Sequence, residues 1–379
     1  MILKLLAQIL KKEYRFLNRV ELSKTNLLHN FKYLGSLNSG LKVVPVLKSN
    51  AYGHGLVEIA QILDYVKAPF FCVDSLHEAY RLLKTGVKTP ILIMGYFDPE
   101  NLKVKKLPFH YALFDLETAE IINKFQPQAK VHIKVDTGMH RIGIPIEELD
   151  QFCQELKQFE NIKVEGLMSH LAQANNTSEK GFLSQVENFK KAKQILEQNG
   201  FNLSWTHIGA SNALLNQEAR IVIGKISNLV RAGKALYGLD PINQHSKLKP
   251  VLKFTTKIAQ IKKIKAGSRV GYDWTFEAKQ DLLLGILPAG YNDGVDRRLS
   301  NIGSVLIGGV SCPIVGRVSM NITTVDISNV PDPYIGQEVI IYSDNPKDLN
   351  SIENSAKLTG TIAHELLIHI DPFTKRIIT

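Results

Sequence analysis

The chain is poor in cysteine: Cys72, Cys153 and Cys312 are its only three, far apart, with no C-x-x-C pair. That spacing indicates neither a disulfide framework nor a zinc site, and it fits a reducing cytoplasm. No apolar stretch approaches the length of about 18 residues that spanning a bilayer requires. A G-x-G-x-x-G phosphate loop is absent, which counts against a doubly wound dinucleotide fold. No internal repeat and no low-complexity segment is visible. The formal charge is +10, yet Lys and Arg are spread along the chain without a basic run interleaved with aromatics. Anionic small molecules fit that distribution better than nucleic acid.

What is present is enough material for two domains in 379 residues. Residues 1–15 read as an amphipathic extension, with Ile2, Leu5, Leu6 and Ile9 opposite Lys4, Gln8, Lys11, Lys12 and Arg15. No small-residue cleavage site follows, so a signal peptide is not expected. A helix packed on the protein body or a partner subunit is favoured over one lying on a membrane surface.

From residue 16 to 240, short β-like runs alternate with amphipathic helical segments. The runs are VVPVLK (43–48), PFFCVD (69–74), PILIMG (90–95), YALFD (111–115), VHIKVD (131–136), VEGLMSH (164–170), LSWTHIG (203–209) and LVRAGKALYG (229–238). Their lack of polar alternation suits parallel strands buried on both faces. Asp98 and Thr177 look like helix starts. Eight such alternations predict a (β/α)8 TIM barrel, with an open doubly wound sheet as the competing architecture. Residues 241–379 predict a mostly β domain with strands at 251–263, 283–288, 304–307 and 337–342 and one helix over about 351–369.

Barrel active sites sit at the carboxyl ends of the strands. Those ends hold Lys48, the Lys134–Arg141 segment, His170, His207 to Ser211, and Arg231 to Gly233. A lysine leaving an apolar strand for a cleft is expected to be desolvated, which favours its neutral, nucleophilic amine. Ser211 could donate to an anion or cap the following helix, and Gly233 would allow close approach to its backbone amide.

Several ordered blocks resemble the alanine racemase family. KSNAYGHG (48–55) resembles its cofactor-lysine signature, and KVDTGMHRIG (134–143) and GLMSHLAQAN (166–175) follow in order. HIGASNA (207–213), VRAGKALYG (230–238), VGYDWTF (270–276), AGYNDGVDRRL (289–299) and CPIVGRVSMN (312–321) extend the likeness to the C-terminus. The resemblance implies pyridoxal 5'-phosphate as cofactor, carried by Lys48 as a Schiff base. It implies that Tyr52, His170, Ser211, Arg231, Gly233 and Lys234 hold the cofactor, with Arg231 facing the pyridine nitrogen. An arginine does not give up its proton, so the ring nitrogen stays neutral and racemisation is favoured over decarboxylation.

Proton transfer between two faces of a carbon needs two bases. By resemblance these are Lys48 and Tyr272, the latter delivered by the partner in a homodimer. Arg141 and the Met320 amide would bind the substrate carboxylate, and Lys134 corresponds to a lysine often carbamylated in the family. The implied activity is isomerisation of L- and D-alanine, feeding cell-wall synthesis; a barrel decarboxylase and a non-catalytic cofactor carrier are the alternatives. Three departures bear on substrate breadth. Asn175 and Asn321 replace common aspartates, which removes a possible salt bridge to Arg317; the tail IDPFTKRII (370–378) lacks the usual tyrosine and offers Phe373 to fill its space; Ser319 replaces a cysteine. These suggest that serine or larger side chains could be admitted alongside alanine.

Overall fold

The computed structural model describes residues 16–240 and 247–379. The expected N-terminal extension, 1–15, lies outside the described residues. The chain divides into two compact units, one of residues 23–251 with the last two residues, the other of the described residues 16–22 together with 252–377.

In the first unit eight parallel strands form a ring. They are β1 (Lys42–Pro45), β2 (Phe71–Val73), β3 (Ile91–Ile93), β4 (Phe109–Leu113), β5 (Lys130–Asp136), β6 (Lys163–Met168), β7 (Trp205–His207) and β8 (Leu229–Ala232). Strands β2 to β7 pair in order, and β8 pairs with β1. Single parallel bridges, Val46 to Cys72 and Ala210 to Arg231, close the two remaining gaps. The expected (β/α)8 barrel is the observed architecture.

The barrel's packed interior contains Val44, Val46, Phe70, Cys72, Leu92, Ala112, Met168 and Leu229. Such bulky apolar side chains make it a core, so ligands are confined to its ends. Helices start where short polar side chains satisfy the first free amides: Ser23 accepts from Asn26, Ser75 from Glu78, and Asp115 from Thr118. Asp98 caps a 3-10 turn, Pro99–Lys103, as expected. Thr177 does not begin a helix. Its hydroxyl bonds Glu218 instead, and the helix Lys180–Gln198 starts three residues later behind Glu179.

The second unit holds a six-stranded sheet in the order Val310–Pro313, Ser304–Ile307, Glu338–Tyr342, Leu252–Lys257, Arg19–Leu22, Lys375–Ile378, and a three-stranded sheet of Gln260–Ile264, Leu282–Leu287 and Thr323–Asp326. Residues 16–22, expected in the barrel, belong here because Arg19–Leu22 pairs antiparallel with 252–255. The run 251–263 is two strands joined at Ile258-Ala259. The helix expected over 351–369 is two, Ile352–Leu358 and Ala363–Ile368; Gly360, at φ +66°, takes the left-handed conformation that stops the first.

One glycine shows how tightly the barrel exit is fixed. Gly238 has φ +87°, and a Cβ there would lie 2.2 Å from the Lys249 carbonyl oxygen. Gly238→Ala should therefore lower the unfolding free energy by about 2 kcal/mol or more, read as a fall in the urea midpoint.

Candidate active site

A cavity of about 650 Å³ at the carboxyl end of the ring gathers most of the residues picked from the strand ends, although His207 lies behind it and does not line it. Lys48, Tyr52, Lys134, Arg141, His170, Ser211, Arg231, Gly233 and Lys234 all face it.

Lys48 follows β1 and opens a turn whose next four residues, Ser49 to Tyr52, have φ between +53° and +55°. Four consecutive non-glycine residues in the left-handed region cost on the order of 1 kcal/mol each. The neighbours that hold them there are specific. The Asn50 amide donates to Glu78 Oε1 at 3.3 Å, and the Asn50 side-chain oxygen accepts from the Leu56 amide at 2.9 Å. His54 Nδ1 meets the Ala51 and Tyr52 carbonyls, and its ring stacks on Tyr237 at 4.4 Å. This turn swings Tyr52 against Gly233, where a Cβ would come within 2.5 Å of the phenol oxygen. Burial pushes the Tyr52 phenol up to about 12.

Lys48 is not desolvated as expected: its side chain keeps 39% exposure, and Nζ lies 3.8 Å from Asp74 Oδ1. Asp74 ends the PFFCVD run, so the strand-end rule that selects Lys48 also reaches this carboxylate, which is not among the residues singled out from the sequence. Asn50 and Glu78 carried no such signal, since only the left-handed turn gives them their partners.

Arg231 is buried on β8 and is the most heavily bonded side chain of the site. Nη1 donates to His207 Nδ1 at 2.6 Å and to the His207 carbonyl at 2.9 Å. Nη2 donates to the Ser169 carbonyl at 2.6 Å, to His170 Nδ1 at 3.1 Å and to the Ile208 carbonyl at 3.2 Å. Both terminal nitrogens are thus committed, which leaves Nε as the donor available to the cavity. Burial lowers its guanidinium to about 10, still charged near neutrality. Burial and the Arg231 charge together hold His170 down to about 3, so it is neutral.

Burial, reinforced by Arg231 and Arg141, lowers Lys134 to about 8; its Nζ donates to the Met94 carbonyl at 3.0 Å. Arg141 follows a loop ordered by Asp136, whose Oδ1 accepts the amides of Gly138, Met139 and His140. Among the described residues Arg141 makes no ion pair. Ser211 does not cap the helix it begins: its Oγ accepts the Gly233 and Ala235 amides, each at 3.2 Å, leaving the hydroxyl proton to donate elsewhere.

The alanine racemase N-terminal domain model matches residues 22–241, and the C-terminal domain model matches 251–378. The chain belongs to the alanine racemase family. It is 34% identical to alanine racemase 2 of Caldanaerobacter subterraneus subsp. tengcongensis over 95% of this chain and 94% of that protein. Identity is also 34% to the alanine racemase of Syntrophobacter fumaroxidans, over 93% and 94%. Among solved structures, alanine racemase of Clostridium difficile 630 matches with TM-score 0.88 and 31% identity, covering 97% of each chain. That of Bacillus anthracis with bound L-Ala-P matches at 0.87 and 29%, covering 97% and 96%.

The second unit carries the other two candidates of this family's pattern. Tyr272 is 68% exposed on a turn where Asp273 and Trp274 have positive φ. Met320 is exposed, and its carbonyl accepts the Asn292 amide at 2.9 Å. Arg317 is not left without a carboxylate: its Nε lies 2.9 Å from Asp273 Oδ2. Asn321 donates to Asp293 at 3.3 Å, and Asn175 accepts from Asn212 at 3.0 Å. Phe373 fills no space, being 93% exposed.

Four barrel histidines, His110, His132, His170 and His207, are held below the usual value of 6.5, chiefly by burial. The unfolded chain takes up protons at these positions below about pH 6.5 while the folded chain does not, so stability falls as pH drops. Each histidine contributes up to about 1.4 kcal/mol per pH unit in that window. The urea midpoint at pH 5 should lie clearly below that at pH 7.5, and equal midpoints would contradict this account.

Proposed function

We propose that the chain interconverts L- and D-alanine with pyridoxal 5'-phosphate held in the barrel-end cavity. The observation that carries this reading is the meeting in that one cavity of Lys48, Arg231 and Arg141, the last without an ion pair among the described residues. The residues fit the cofactor. Lys48 offers an amine for covalent attachment, Ser211 a hydroxyl donor, Lys234 a cation, and Gly233 the room that brings the Tyr52 phenol into the cavity wall. Once attached, the cofactor supplies the electron sink that acidifies the amino acid's Cα–H.

Lys48 acts as the base on one face of Cα, and Tyr272, supplied by a second copy of the chain, as the base on the other. A homodimer follows, and an active monomer in sedimentation would refute it. Arg141, with the Met320 amide, holds the substrate carboxylate. Arg231, whose Nε is left as the donor available to the cavity, would hold the cofactor's ring nitrogen without surrendering its proton, and a cofactor so held would favour return of the proton to carbon over loss of carbon dioxide. Lys134, lowered to about 8, retains enough neutral amine to take up carbon dioxide as a carbamate, and the resulting anion would pair with Arg141. The setting is cytoplasmic and the product D-alanine serves cell-wall synthesis.

The purified protein should show a visible absorbance band that borohydride bleaches, and Lys48→Ala should lack both band and racemisation. A colourless protein after incubation with pyridoxal phosphate overturns the reading. Tyr272→Phe should keep the band but lower turnover by about 100- to 10,000-fold. Turnover on L-alanine should exceed that on L-serine, with L-lysine poorest; a preference for lysine overturns the alanine assignment.

A further inference from the structure

Behind Arg231 the barrel interior holds a row of polar side chains that the racemase reading does not use. Arg231 Nη1 meets His207 Nδ1 at 2.6 Å, and His207 Nε2 meets His132 Nδ1 at 2.9 Å. His132 and His207 are fully buried. Beyond them, one ring nitrogen each of His132 and His110 and a Glu165 oxygen lie within 4.8 Å of one another. None of His132 Nε2, His110 Nδ1 and Glu165 Oε2 makes a hydrogen bond. Lys130 Nζ holds the other carboxylate oxygen of Glu165 at 2.7 Å, and His110 Nδ1 sits 3.3 Å from Oε2.

The direction of this row is fixed by its first member. A guanidinium has only donors, so His207 Nδ1 must accept. A neutral His207 therefore carries its proton on Nε2 and donates to His132 Nδ1. His132 in turn carries its proton on Nε2, which leaves an N–H among the buried atoms of Glu165 and His110. A metal ion in that cluster would need the lone pair of His132 Nε2. Its proton would move to Nδ1, His207 would reverse, and two N–H groups would face each other across 2.6 Å. The Lys130 ammonium adds further repulsion. An anionic acceptor suits the cluster, and a cation does not.

The path is also built sterically. Gly166 is the β6 neighbour of His132 in register. A Cβ at Gly166 would stand 2.4 Å from His132 Nδ1, so the absent side chain is what lets the imidazole lie in line.

We propose that Glu165 is a positioning residue for the racemase: as the acceptor at the far end, reached through one water, it fixes the tautomers of His132 and His207 and so the orientation in which Arg231 presents its free donor to the cavity. Lys130 holds the Glu165 carboxylate in place through its other oxygen. The link to catalysis rests on the reading that Arg231 faces the cofactor ring, whereas the tautomer assignment does not.

The test is nitrogen NMR of the full chain with ¹⁵N-labelled histidine, recorded without pyridoxal phosphate, alongside kinetics with it. In the unaltered protein His132 and His207 should both be Nε2–H tautomers; either one protonated on Nδ1 overturns the proposal, whatever the variants do. Glu165→Leu should broaden or shift both imidazole signals and lower kcat for alanine about tenfold with little change in KM, and Glu165→Gln, which keeps an acceptor oxygen, should restore most of both. Unchanged histidine signals in Glu165→Leu overturn it as well. Altered signals with unaltered kcat would break the link to Arg231 and leave the tautomer assignment standing. Absence of any racemase activity, with the tautomers as assigned, would instead count against the functional reading.

Discussion

The Arg231 guanidinium sits inside a barrel whose other contents are mostly apolar, and a charge in that position must be surrounded by acceptors. Three carbonyls and two imidazoles provide them. Much of the site follows from that requirement. His170 and His207 must be neutral to accept, and the charge they serve helps to keep them so. The Ser169, His207 and Ile208 carbonyls turn inward at the ends of β6 and β7 because a donor awaits them. Lys134 and Arg141 share the resulting excess of positive charge, which makes the cavity a natural host for an anionic ligand.

A second constraint acts at the opposite wall. The ring of strands sets Lys48 at the cavity mouth, but the left-handed turn after it decides where Tyr52 goes. Glu78 and Leu56, from the following helices, and His54, bonded to carbonyls of the turn itself, offset the cost of that turn with hydrogen bonds. Catalytic geometry here is thus carried by residues that never touch the cavity, a common arrangement where backbone strain is held beside a reactive group.

The barrel was legible because its eight strands are apolar runs with little alternation; the strand ends then gave Lys48, Lys134, Arg141, His170, Ser211, Arg231 and Gly233, while Tyr52 and Lys234 came only from the family resemblance. Lys48 was found but its surroundings were not, since Asp74 belongs to a different strand and the left-handed turn has no glycine to announce it. The bound at residue 16 put Arg19–Leu22 on the wrong side for a related reason: no local pattern shows that these residues form a strand whose partner lies more than 200 residues away. The break at Gly360 was a signal present in the sequence and passed over. His132 reads as one more residue of an apolar strand, and its pairing with His207 emerges only when β5 and β7 stand on either side of β6.

The empty space at Gly166 has an evolutionary corollary. An imidazole at position 132 and a bare α-carbon at position 166 are two halves of one steric arrangement, since either is of little use without the other. A lineage can gain a methyl at 166 only after surrendering the ring at 132, and the order of those two steps cannot be reversed without crossing a poorly packed intermediate. The pair should therefore drift together or not at all, while the apolar positions around it exchange volume freely.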